Sequence, residues 1–279
     1  MFQPLLQPWV WRLDVLLVLM SGGVTYTLGW WRLRRLTQTP RLAQTWRLAC
    51  YWLGLLSIAL ALLSPIDALS TQLFFMHMLQ HLLLVMIAPP LLLLANPFPF
   101  VMWGLPHPWR RPVGSFFQAQ GLLRRGLHRL AWPGLALLIF VAVLWGWHYP
   151  PAYDAALRNE TIHDLEHLTF FITALLYWWR VIPAKPSLFP PTALESRIAF
   201  LLFTVPWNML LGVWLTFASQ PVYPHYTTVP RLWGLSVLQD QMFGGVIMWV
   251  PGSMMYVVAA VVLVWQILQR DDVDDDSRL

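Results

Sequence analysis

The sequence has very little cysteine and very little charge. Cys50 is the one cysteine among 279 residues, so the chain has no intramolecular disulfide and no Cys-x-x-Cys redox or metal motif. Charged residues make up 11% of the chain, whereas soluble domains carry roughly 25%. A chain with so little polar surface is not a soluble globular protein. Its net charge of +5 is therefore better explained by its loops than by a nucleic-acid partner, and we expect none.

Long apolar runs take the place of charge. Hydrophobic residues make up 58% of the sequence, mean hydropathy is +0.55, and 18 tryptophans are available for the membrane interfaces. A membrane-crossing helix needs roughly 20 mostly apolar residues. The sequence therefore predicts an all-α, polytopic membrane protein with seven transmembrane helices in a membrane domain at 1–268, followed by an acidic, disordered tail at 269–279. The predicted spans are 13–31, 47–64, 73–95, 133–149, 162–182, 197–218 and 241–268.

The basic residues are distributed unevenly among the predicted links. Fifteen of the 18 Lys and Arg residues fall in links that would share one side of the membrane, and the other three are Arg12, Arg158 and Arg231. Basic loops stay in the cytoplasm, so the N-terminus is predicted outside and the C-terminus inside. The link at 114–132 alternates Arg and His with Leu, which predicts a helix lying on anionic lipid.

Histidines are concentrated at one end of the predicted bundle. His77 and His81 begin span three, His163 and His167 begin span five, and His148 closes span four. Residues four apart share a helix face, and at about 1.5 Å of rise per residue both pairs lie within about 12 Å of the border. Buried ionisable groups in a membrane are costly and mark functional sites. We therefore expect these five residues to form an outward-facing metal site.

The donor types narrow the choice of metal. Imidazole with thioether suits copper, so Met78 is a candidate soft ligand, whereas imidazole with carboxylate suits zinc or iron. Glu166 lies beside the second pair and is predicted to orient a ring N–H. Three alternatives stay open: a b-type haem with the pairs as axial ligands, a copper permease, and a di-metal hydrolase or oxygenase.

Three stretches carry a family resemblance: HMLQHLLLVMIAPPLLLL, WGWHYPPAYDAALRNETIHDLEHLTFFITALLYWW and QDQMFGGVIMWVPG. They resemble the multi-span CtaG family of cytochrome c oxidase assembly proteins over most of the chain. The resemblance implies a seven-span protein of the bacterial inner membrane that is not an enzyme. It also implies a role in maturing a haem–copper oxidase, by delivering copper to an oxidase subunit or by acting with another assembly factor. The family motif positions fall on His77, His81, His148, His163, Glu166, His167, Asp240 and Gln241, of which Glu166, Asp240 and Gln241 are expected to support the ligands.

Overall fold

A computed structural model of the chain describes residues 9, 11–36, 42–117, 121–130, 132–186 and 192–276. Helix makes up 83% of it, and the described residues form no strands, which confirms the all-α prediction. In chain order the helices are α1 (Leu13–Leu36), α2 (Thr45–Leu63), α3 (Pro65–Ser70), α4 (Phe74–Leu94), α5 (Pro97–Gly104), α6 (His107–Phe116), α7 (Leu122–Leu130), α8 (Pro133–Trp147), α9 (Pro150–Arg158), α10 (Glu160–Val181), α11 (Leu194–Phe217), α12 (His225–Thr228) and α13 (Val237–Asp276).

Five of the described helices are long and apolar enough to cross a membrane. They are α1, α2, α4, α11 and the Val237–Gln269 part of α13. A sixth span results if Arg124–Leu130 and Pro133–Trp147 are taken together, although the two segments are bent by 74°. Helix α10 has 22 residues and is long enough to cross a membrane. It is not among the five because Glu160, Asp164, Glu166 and Arg180 make it less apolar than they are. The membrane-protein prediction is thus supported, while seven spans and the orientation stay predictions.

The disordered tail at 269–279 stays a prediction, and the described part of that segment is helical. Helix α13 continues through Asp276, so the first part of the segment 269–279 is helical, and 277–279 lie outside the described residues. Gln266, Gln269 and Arg270 favour helix and no glycine or proline follows them, which explains why the helix does not stop at the predicted border.

Helix α4 lies at the centre of the bundle. It packs against α2, α3, α10 and α13, while α11 and α13 pack along much of their length. Small residues allow that second contact: a Cβ at Gly212 would lie 2.8 Å from the Trp249 backbone N, and one at Gly245 would lie 2.6 Å from the Thr216 backbone N.

A π-helical segment, Leu83–Ile87, interrupts α4 just before Pro89 and Pro90. Proline has no N–H, so the Val85 carbonyl, four residues before Pro89, loses its helical donor. Trp178 Nε1 on α10 donates to that carbonyl at 3.0 Å. A side chain of the neighbouring helix thus satisfies the backbone that the proline leaves open, as a membrane interior requires.

Candidate metal centre

The two histidine pairs lie in the first turns of two adjacent helices. His77 and His81 are on α4, and His163 and His167 are on α10. The Asn159 side chain caps α10 by accepting from the backbone N of Thr161 at 2.9 Å and from that of Ile162 at 3.2 Å. Because each pair lies within the first two turns of its helix, both pairs lie at the same end of the bundle, where α4 and α10 begin. We call this end the site end.

The five predicted imidazoles converge. Ring centroids lie 4.3 Å apart for His77 and His81, 4.2 Å for His163 and His167, 5.0 Å for His77 and His163, and 5.5 Å for His81 and His167. His148, just after α8, lies 6.0 Å from His81. Four of the rings are buried, and His163 is partly exposed. We call these five residues together with Glu166 the histidine cluster.

Glu166 lies among the imidazoles rather than behind them. Its side chain is fully buried, with Oε2 3.6 Å from His77 Nε2 and Oε1 3.5 Å from His81 Nε2. It was predicted to support the ligands from outside. In the structure it occupies the place of a possible ligand itself.

The donor atoms of the cluster have no hydrogen-bond partners. These buried atoms are Nε2 of all five histidines, Nδ1 of His81 and both carboxylate oxygens of Glu166. A buried polar group left unpaired costs about 1–3 kcal/mol, and native proteins contain few of them. Six side chains thus bring donor atoms together, and each can offer a lone pair to a cation, since a neutral imidazole has one nitrogen without a proton and a carboxylate has two oxygens.

Two sets of three donor atoms are close enough to hold a metal ion. One set comes from His77, His81 and His167, the other from His77, His163 and Glu166, and in each the atoms lie within 4.8 Å of one another. His77 belongs to both sets.

A chain of hydrogen bonds fixes the tautomer of His77. Tyr226 donates its proton to the Ser70 carbonyl at 2.8 Å, so in its 3.0 Å contact with Tyr153 it can only accept. Tyr153 therefore donates to Tyr226 and accepts from His77 Nδ1, which lies 2.8 Å away. Burial, followed by the neighbouring Tyr226 and Tyr223, raises the pKa of Tyr153 well above its ordinary value, so the hydroxyl keeps its proton. His77 Nε2 is left with a free lone pair toward the cluster.

His148 is oriented in the same way. Its Nδ1 lies 2.7 Å from the Leu144 carbonyl, which can only accept, so Nδ1 carries the proton and Nε2 is free. Metal-binding histidines commonly donate their other ring N–H to a carbonyl or a polar side chain. Two of the five rings thus have the arrangement of metal ligands.

Three further predicted residues lie around the cluster. Met78 is buried and lines a cavity of about 40 Å³ whose wall also includes His81 and His148. Asp240 accepts from the backbone N–H groups of Phe74 and Phe75, both at 3.0 Å, and so caps the start of α4. Gln241 accepts from the Val222 N–H at 2.7 Å and donates to the Leu215 and Gln220 carbonyls, which ties α13 to α11 and the following loop.

Sequence reasoning missed the tyrosines. Tyr153 lies within the same motif as His148, and a tyrosine between two histidine-bearing helices was the available signal. It also missed Gln80, which is buried and donates to Asp67 Oδ1 at 2.6 Å and to the Ala61 carbonyl at 2.8 Å. A polar residue between two histidines on an apolar helix was the available signal.

A groove of about 450 Å³ runs beside the cluster, between α1, α2, α4 and α10. His167 forms part of its wall, and most of the remaining wall is apolar. At one end Arg12 binds the carboxylate of Asp164 through both terminal nitrogens, with the Nη2–Oδ2 distance at 2.9 Å.

Comparisons with known proteins agree with the resemblance in the sequence. A family model described as cytochrome c oxidase caa3 assembly factor (Caa3_CtaG) matches residues 24–270. Uncharacterized proteins of Mycobacterium bovis and Mycobacterium tuberculosis are 28% identical over 270 residues, and one of Mycobacterium leprae is 24% identical over 273. Each alignment covers 94% of this chain but 40% of the relative, so the chain spans about two fifths of the length of these curated relatives. No solved structure matches the chain.

Proposed function

This chain belongs to the family of cytochrome c oxidase caa3 assembly factors, and from that premise we propose that it binds copper at the histidine cluster and passes it on during maturation of the oxidase. The observation that carries the proposal is the convergence of six side chains whose buried donor atoms have no partners. The role is that of a metallochaperone and needs no catalytic step.

The donor set favours copper among the candidate metals. Imidazole-rich sites bind Cu(II) more tightly than the other divalent first-row ions, and the nearby thioether of Met78 suits Cu(I). Neighbouring rings of the cluster lie 4.2–6.0 Å apart between centroids, which suits a small ion better than a planar macrocycle between them. With no thiolate among the ligands, the bound ion can be transferred to an acceptor.

The partner and location follow from the family. We propose that the acceptor is an oxidase subunit or a second assembly factor, and that the protein is a multi-pass protein of the bacterial plasma membrane. Several apolar helices and the mycobacterial relatives support this location. The site end then faces outward, as the distribution of basic residues predicts.

Loss of one central imidazole tests the proposal. The purified wild-type protein, reconstituted with Cu(I) under reducing conditions, should hold copper by elemental analysis, and His77→Ala should weaken binding by more than about 100-fold, the upper end of the effect of losing an outer partner. In cells the same variant should lower the copper content of the oxidase. His107→Ala, on α6 away from the cluster, is the control and should change neither result. Wild-type protein that takes up no copper, or a His77→Ala variant with unchanged affinity, would refute the copper site.

A further inference from the structure

The histidine cluster offers more ligands than one ion uses. A first-row metal ion in a protein site commonly takes about four ligands, and the cluster presents six side chains with free donor atoms. Either two ions bind at once, or one ion has two positions.

The charge of the cluster decides between these alternatives. Glu166 is the carboxylate that the described residues place among the five imidazoles, and it is fully buried. When Cu(I) binds, the Glu166 carboxyl releases its proton to solvent, and the resulting single negative charge compensates one ion. A second ion would leave an uncompensated charge in the interior, which is strongly unfavourable.

The two donor sets lie at different depths. His163 is partly exposed and lies in the first turn of α10, whereas His167 lies one turn further in and is 5% exposed. Glu166 lies at about the depth of His167 on α10, so the sets differ in depth through His163 in one and His81 and His167 in the other. By their place along α4 and α10, we call the set of His77, His163 and Glu166 the outer position and the set of His77, His81 and His167 the inner position. Beyond the inner position, His81 shares a cavity wall with His148 and Met78.

We propose that one copper ion moves between the outer and the inner position while it stays bound to His77. The proposal rests on copper binding as proposed above and adds the path of the ion. Copper remains Cu(I), the lone pairs of His163 and Glu166 are replaced by those of His81 and His167, and no electron or proton is transferred. His77 suits the role of common ligand because its contact with Tyr153 fixes the ring with Nε2 toward both sets.

Two double variants separate the positions. His163→Ala with Glu166→Asp removes the outer position and keeps one carboxylate charge in the cluster, because the shorter side chain withdraws its oxygens. His81→Ala with His167→Ala removes the inner position. Each protein is loaded with Cu(I), its copper content is measured, and release is followed after addition of excess bathocuproine disulfonate, a chelator specific for Cu(I). We expect one copper per chain in the wild type and in both double variants. Release should be about tenfold slower from the outer-position variant than from the inner-position variant, because the ion is then held at the deeper set.

The experiment distinguishes failure of the two-position proposal from failure of copper binding itself. Two coppers per wild-type chain, equal release rates from the two double variants, or no copper in one of them would overturn the two-position proposal and leave copper binding itself intact. Absence of copper from the wild type would instead refute the proposed function. If a double variant loses its helical circular dichroism, the single variants His163→Ala and His167→Ala provide the same comparison of release rates.

Discussion

Two tyrosines at the site end determine which nitrogen of His77 faces the cluster. Because Tyr226 uses its proton on the Ser70 carbonyl, the direction of each hydrogen bond from Tyr226 through Tyr153 to His77 is fixed. The ring is thereby held in one tautomer and one orientation without any contribution from a metal. A ligand that is already oriented loses less rotational freedom when an ion binds.

Asp67 on α3 is expected to titrate in the physiological range. Burial raises its pKa to about 6, and the hydrogen bond from Gln80 and the charge of Arg12 oppose this only in part. The folded state therefore holds a proton that the unfolded state releases near its ordinary pKa of 3.8. Stability should fall as pH rises from about 4 to about 6 and be constant above, by at most about 3 kcal/mol from this group.

Asp67→Asn should remove that dependence. The experiment compares the unfolding free energies of wild type and variant in detergent at pH 4.5 and pH 7. Histidine titration contributes to both proteins, so only the difference between them is informative. Glu195→Gln, at an exposed carboxylate, is the matched control. A wild-type-minus-variant difference that is the same at both pH values would contradict the expected titration.

The sequence could identify the histidines but not how their side chains are arranged around one another. Spacing of four residues on two helices was sufficient to place His77, His81, His163 and His167 at one depth, because helix geometry alone fixes it. Whether the two helices are neighbours depends on packing of the whole bundle. The sequence placed Glu166 beside the second pair, but that its carboxylate lies among the rings and not behind them depends on this packing.

Helix α4 depends on α13 for its start. The first backbone N–H groups of a helix have no partners within it, and those of Phe74 and Phe75 are bound by the buried carboxylate of Asp240. Arg231 pairs with the same carboxylate at 2.9 Å. Asp240, one of the family motif positions, therefore holds the start of the helix that carries His77 and His81.

Asp240→Ala should destabilise the protein by about 2 kcal/mol or more, because two helix N–H groups and Arg231 lose their partner in a buried place. Chemical unfolding in detergent measures this loss of unfolding free energy. Copper affinity should fall as well, because His77 lies in the helical turn that loses its cap. Arg158→Ala removes an exposed arginine whose pair with the partly buried Asp154 is long, at 3.7 Å, and should cost less than about 1 kcal/mol. If Asp240→Ala is as stable as Arg158→Ala, the Asp240 cap does not contribute to the stability of the fold.

Helix boundaries were more predictable than the elements between them. Five of the seven predicted spans begin and end within about three residues of an observed helix, because runs of apolar residues and their polar borders are local features. Helices α1 and α13 continue further, to Leu36 and Asp276. Helices α3, α5 and α9 are short and lack periodicity of their own. The π-helical segment of α4 also could not be predicted, because it depends on Trp178 of another helix to satisfy Val85.

At the scale of the whole molecule, the distribution of basic residues makes a prediction about orientation that the fold does not test. A cytoplasm-specific reporter fused after Leu279 should be active, because the basic links would then remain inside. A reporter that works only outside the cytoplasm should be inactive at the same position. The reverse result would place the histidine cluster on the cytoplasmic side and remove the argument for an external copper acceptor.

The groove along α1 and α10 has a consequence for how this protein should be handled. Away from the charged end formed by Arg12, Asp14 and Asp164, the wall that includes His167 is apolar, so hydrocarbon tails of the surrounding bilayer can lie against a proposed ligand. The dielectric environment of the inner position is then partly supplied by lipid, and extraction replaces that lipid by detergent. Copper affinities measured in micelles and in native-lipid nanodiscs should therefore differ even when every residue is the same.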